Sequence, residues 1–173
     1  MLFRSESRNW SNLSLDYIPD VLTEEDNYRV INRLQPFNRG KIFLRKAGKK
    51  FFSSLDSVNF KLNDAGGNEN FYEIRGWAFA GGCPGYEYDV KIILENEGKR
   101  FVFDCARTLR PDVEMVFPTQ RDCRLSGFVA KISADIIPKG ENKIYIALVK
   151  PALLSKSRFK GAIRDSGRVL ELK

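Results

Sequence analysis

The residues best suited to recognition chemistry lie in one short stretch, Tyr86-Glu87-Tyr88-Asp89, directly after the turn-forming run Gly81-Gly82-Cys83-Pro84-Gly85. Alternate residues of an extended segment share a side, so Tyr86 and Tyr88 face one way. Aromatic faces stack on sugar rings, and the Glu87 and Asp89 carboxylates can accept hydrogen bonds from hydroxyls. The stretch is therefore a candidate saccharide site, with Trp77 as a possible further stacking ring. The plainer alternative is a surface loop whose tyrosines pack on a sheet edge, with Trp77 a core anchor between sheets.

A second group is cationic. Arg39, Lys41, Arg45, Lys46, Lys49 and Lys50 have no acidic residue among them. Clustered cations gain electrostatically near negative charge, so the segment suits an anionic membrane surface or a polyanionic glycan. Phe43, Phe51 and Phe52 are interleaved with these cations, a pattern that offers phosphate contacts with base stacking in a nucleic-acid binder. A solvated tail, or an edge strand protected by lysines, produces the same composition.

Nothing comparable points to catalysis. The chain has no histidine, which removes Ser-His-Asp and Cys-His nucleophiles, histidine-ligated zinc and a histidine pH switch. Cys83, Cys105 and Cys123 are odd in number and widely spaced, with no Cys-x-x-Cys pair, so neither a metal site nor a disulfide scaffold is expected. Cys105 is in phase with Phe101 and Phe103 and reads as a buried thiol. Free thiols suit a reducing compartment. No metal or cofactor is called for, and carboxylate pairs or an activated Cys or Lys are the remaining enzymatic routes.

The elements that must position these residues follow from periodicity. Residues 1–50 carry ten Lys/Arg against six Asp/Glu, residues 151–173 six against two, and residues 51–150 thirteen against fourteen. The net charge of +7 thus sits in the flanks of a near-neutral body. Thr23-Glu24-Glu25-Asp26 resembles a helix N-cap, and Tyr28, Ile31 and Leu34 continue at helical spacing until Pro36. This predicts a helix over 23–35, packed on the rest of the chain or on a second copy, with a monomer favoured. From residue 51 the period becomes two. Val58 to Leu62, Phe71 to Phe79, Val90 to Leu94, Phe101 to Cys105, Phe128 to Ile132 and Ile144 to Leu148 read as strands, with short strands at 159–164 and 168–172.

Asn96-Glu97-Gly98 marks a hairpin. Pro111, Asp112 and Glu114 suit a single helical turn crossing between sheets. Past Gly76 the bulky residues change parity, which calls for a bulge or burial on both faces. The expected fold is an all-β antiparallel sandwich, immunoglobulin-like or jelly-roll-like, of seven to nine strands over residues 51–173. Residues 1–50 form an extension with a short helix and a basic segment. No apolar run near Met1 is long enough for a signal peptide or a membrane span, so a cytoplasmic protein, or a module of a larger one, is expected.

Gly76-Trp77-Ala78, the hairpin, Arg110-Pro111-Asp112-Val113 and Ser126-Gly127-Phe128 occur in this order across about residues 55–150. This pattern resembles the β-sandwich accessory modules appended to bacterial glycosyltransferases and related cell-surface polysaccharide enzymes. The resemblance implies a non-catalytic module of surface-glycan synthesis that contacts a saccharide or a partner protein. Nucleic-acid or anionic-surface binding through residues 39–50 is the alternative.

Overall fold

The computed structural model describes residues 21–22, 30–31, 33, 42–46, 48, 50–62, 70–150 and 159–172. Among these described residues ten strands form two five-stranded sheets. They are β1 (Val21–Leu22), β2 (Ile42–Lys46), β3 (Phe51–Lys61), β4 (Phe71–Ala80), β5 (Asp89–Asn96), β6 (Lys99–Asp104), β7 (Ala106–Thr108), β8 (Gly127–Ser133), β9 (Gly140–Lys150) and β10 (Phe159–Leu172). One sheet runs β1-β7-β8-β4-β3 and the other β2-β10-β9-β5-β6. Pairing is antiparallel except at one edge of each sheet, where β1 lies parallel to β7 and β2 parallel to β10. The all-β sandwich is the expected fold. The count exceeds nine because β1 and β2 come from the first fifty residues, so residues 42–46 form an edge strand of the second sheet.

The core lies between the sheets and follows the period-two pattern. Val90, Ile92 and Leu94 of β5 meet Phe128, Ala130 and Ile132 of β8 and Ile144, Ile146 and Leu148 of β9. The hairpin turn is Glu97-Gly98, both with positive φ, the geometry that matches the twist of paired strands. β7 is not among the strands read from the sequence, and β10 differs from its reading as two strands. It is continuous, with a register shift between Asp165 and Arg168 that produces the interruption seen in the sequence.

Gly76 resolves the parity change in β4 through burial on both faces. Ile74 and Ala78 point into the inter-sheet core, whereas Phe79 belongs to a separate cluster with Trp77 on the opposite face. A Cβ at Gly76 would overlap the Ser54 carbonyl oxygen and the Phe128 ring, so glycine is what lets Phe128 fill this level of the core. The bulge is in the partner strand, between Leu55 and Ser57 of β3.

Two expectations need correction. Ile31, inside the predicted helix, instead forms a parallel bridge to Ile132, with its N–H donating to the Lys131 carbonyl and its carbonyl accepting from Ser133. Partnering an open sheet satisfies its backbone better than an unsupported helical turn. The remaining positions of that helix, apart from Val30 and Arg33, lie outside the described residues. The helical turn at α1 (Pro111–Val116) is present, with Pro at its start and Asp112 and Glu114 in its first turn. It does not cross between sheets, because β7 and β8 on either side of it pair with each other. The chain changes sheets earlier, at Cys105 between β6 and β7.

Candidate functional site

Two side chains hold the loop before β5: Gln120 accepts from the Gly82 N–H at 3.1 Å and donates to the Cys83 carbonyl, and Arg107 holds the part nearest the strand. Arg107 of β7 donates from Nη1 to the carbonyls of Gly85 at 3.0 Å and Leu125 at 2.7 Å. It donates from Nη2 to those of Tyr86 at 3.2 Å and Tyr88 at 2.9 Å. A planar guanidinium has enough fixed donors to serve four carbonyls at once, which a lysine cannot do. Gly85 supplies the close approach, since any Cβ there would run into the backbone of Asp122 and Cys123. From the other side, the N–H of Gly81 donates to the Lys50 carbonyl at 2.7 Å. The aromatic loop and the end of the basic segment are thereby tied together.

Beside this loop lies an open cleft of about 550 Å³. Its floor is the open end of the inter-sheet core: Phe51 and Ala80 from the first sheet, Leu148 and Ala162 from the second, and the Tyr88 ring. Its rim carries Lys46, Lys50 and Lys150, all exposed. Arg164 stands 5.1 Å from the Phe51 ring centroid and donates to the Gly48 carbonyl at 3.3 Å, which adds positive charge beside two of the lining residues. The cleft thus combines an apolar base with cationic walls, and its size falls within the range of small-ligand sites.

Glu87 reaches this rim through an ion pair, with Lys150 Nζ to Glu87 Oε1 at 2.5 Å. The Lys150 ammonium also lies 5.8 Å from the Tyr88 ring centroid. Hydrogen bonding to Glu87 raises the Lys150 pKa, and burial raises that of the Tyr88 hydroxyl. Both therefore keep their protons at neutral pH.

The candidate residues from the sequence divide. Tyr88 lines the cleft together with Lys46 and Lys50, so the aromatic loop and the basic segment, read separately from the sequence, meet at one place. Tyr86, Asp89 and Trp77 are not among the lining residues. Burial and the nearby Asp122 charge push the Tyr86 hydroxyl up to about 12, and Asp89 is exposed at the start of β5. Arg39, Lys41 and Lys49 lie outside the described residues, and for Arg45 only its position in β2 is described. Leu148 was read only as a strand residue and Lys150 and Ala162 were not singled out from the sequence; Lys150 lies 63 positions from its ion-pair partner, which leaves no local signal.

Trp77 is not an anchor between the sheets. It sits half-buried on the outer face of the first sheet, stacked on Phe79 at 5.7 Å and tilted against Phe117 at 5.7 Å, below α1. Arg110 pairs with Asp112 as its sequence position suggests, and it also reaches Asp56 in the β3 bulge. That network ties α1 to the sheet edge and lies apart from the cleft. Cys105 is half-buried overall, yet its thiol packs on the core and burial pushes it up to about 12. Among the described residues no cluster of three or more Cys, Asp or Glu could hold a metal ion, and no helix is long and apolar enough to cross a membrane.

Comparison with protein-family models, curated proteins and solved structures finds no match.

Proposed function

We propose that this chain is a non-catalytic binding module and that its cleft takes a saccharide. The observation that carries the reading is the convergence of Tyr88, Lys46, Lys50 and Lys150 around an apolar floor of about 550 Å³. An aromatic ring supports stacking, and the surrounding ammonium groups donate to ring and substituent oxygens. The lack of histidine favours binding over chemistry. The motif order of the sequence adds a role in bacterial surface-glycan synthesis, where such a module would hold a glycan beside an enzyme.

Calorimetric titration with a panel of bacterial surface oligosaccharides tests this. At least one should bind, and Tyr88→Ala should weaken it about tenfold while Trp77→Phe leaves it unchanged. If no saccharide binds, but single-stranded nucleic acid does and is lost on neutralising Lys46 and Lys50, polyanion binding through the basic segment replaces this reading. Lys46 and Lys50 on the same rim are the observation that favours that second possibility.

A further inference from the structure

One of the cleft's cations is already engaged by the chain itself. Among the described residues the cleft lining includes three lysines and no acidic residue. Among the described residues neither Lys46 nor Lys50 forms an ion pair, whereas Lys150 is held by Glu87 at 2.5 Å. The Glu87 carboxylate comes from the loop at the cleft edge, and the ammonium it holds stands over the Tyr88 ring. We infer that the ligand is an acidic saccharide and that Glu87 occupies, in the free protein, the place its acid group would take on Lys150.

This deepens the saccharide reading and rests on it. A neutral sugar would leave the Lys46 and Lys50 ammonium groups uncompensated beside an apolar floor, whereas a carboxylate, sulfate or phosphate substituent would add negative charge there and accept charge-assisted hydrogen bonds. An acid group seated on Lys150 must first displace Glu87 from it. An exposed ion pair is weak enough to open readily, so Glu87 acts as a built-in competitor that screens out weakly acidic or wrongly placed groups. The concave, bounded shape favours one or two sugar units over an extended nucleic-acid strand, which needs a continuous groove.

The test uses the full chain and a panel of uronate, sulfated, phosphorylated and sialylated oligosaccharides, each beside its esterified or desulfated neutral counterpart. Acidic members should bind more tightly than their counterparts, with the difference shrinking as salt rises. Glu87→Gln should raise affinity for the acidic members about two- to fivefold, the range expected for releasing an exposed pair, and leave the neutral ones unchanged. Lys150→Gln should remove most of the acidic preference while preserving Tm. If saccharides bind but Glu87→Gln changes neither class, or both equally, the competitor role is wrong and the binding module stands. If neutral members bind as well as acidic ones, the acidic selectivity is wrong. If no member binds at millimolar concentration, this inference and the saccharide reading fall together.

Discussion

Replacing Arg107 with Met would isolate how the aromatic loop is held. The substitution keeps the length of the apolar stem and removes the donors to four carbonyls. The carbonyls of Tyr86 and Tyr88 belong to half-buried residues, so water can replace their lost partner. Gly85 and Leu125 are buried, and a buried acceptor without a partner costs ~1–3 kcal/mol. Two of them set a range of ~2–6 kcal/mol, and relief of the guanidinium's own desolvation brings the expected loss toward ~3 kcal/mol. In a chain of this size each kcal/mol moves Tm by ~2–4 °C, so the fall should be ~6–12 °C. Calorimetry reads it directly. Arg107→Lys should lie in between, because one ammonium cannot span all four carbonyls. Hydrogen exchange adds a local readout, since amides of residues 85–88 should lose protection before those of β8 and β9. A Tm fall under 2 °C with unchanged exchange would show that the loop is held by its other contacts, such as the Gln120 side chain at Gly82 and Cys83 and the Glu87 N–H to the Pro84 carbonyl at 3.0 Å.

Gly76→Ala should destabilise by ~3 kcal/mol in denaturant titration, because its Cβ would meet backbone and a buried ring, while Gly48→Ala, in open space, should stay within ~0.5 kcal/mol. Phe79→Ala should lose ~3–5 kcal/mol and most of the near-UV dichroism, since Phe79 contacts Phe52, Trp77 and Phe117. Hydrogen bonds from Arg75 to Glu73, at 2.9 and 3.1 Å, hold the Glu73 carboxyl below its usual value of 4.5. A folded-state pKa below the unfolded one means the ionised group adds stability above the unfolded value, and that stability is lost as pH falls through the folded value. Glu73→Gln should therefore flatten the fall in Tm below about pH 4.5 and leave its pH dependence near neutrality unchanged. Alkylation at pH 8 should label Cys83 in the native protein and Cys105 only in denaturant, as read by mass spectrometry of the peptides, because burial suppresses the Cys105 thiolate.

What the chain determines locally was legible from it. The β5–β6 hairpin needs only alternating apolar residues and a Glu97-Gly98 turn that accepts positive φ, and α1 needs only Pro111 ahead of two acidic residues. Gly127 stood out as part of a motif, and its absent Cβ makes room for Thr108 and Arg110. The basic segment was visible as composition, and the lysine-bearing edge strand was among its readings; that β2 lies parallel to β10 depends on residues more than a hundred positions away. Local spacing favoured a helix around Ile31, and the open backbone of β8 won. Trp77 could face either side of β4, and only the aromatic cluster under α1 chose the outer one. Asp56 joins Arg110 across 54 residues. The cleft is the clearest case, because its Tyr, its three lysines and its apolar floor come from five strands and two loops. Short-range spacing specifies turns and strand faces through local sterics and burial, whereas a site at the open end of a sandwich exists only once the two sheets have set their mutual register.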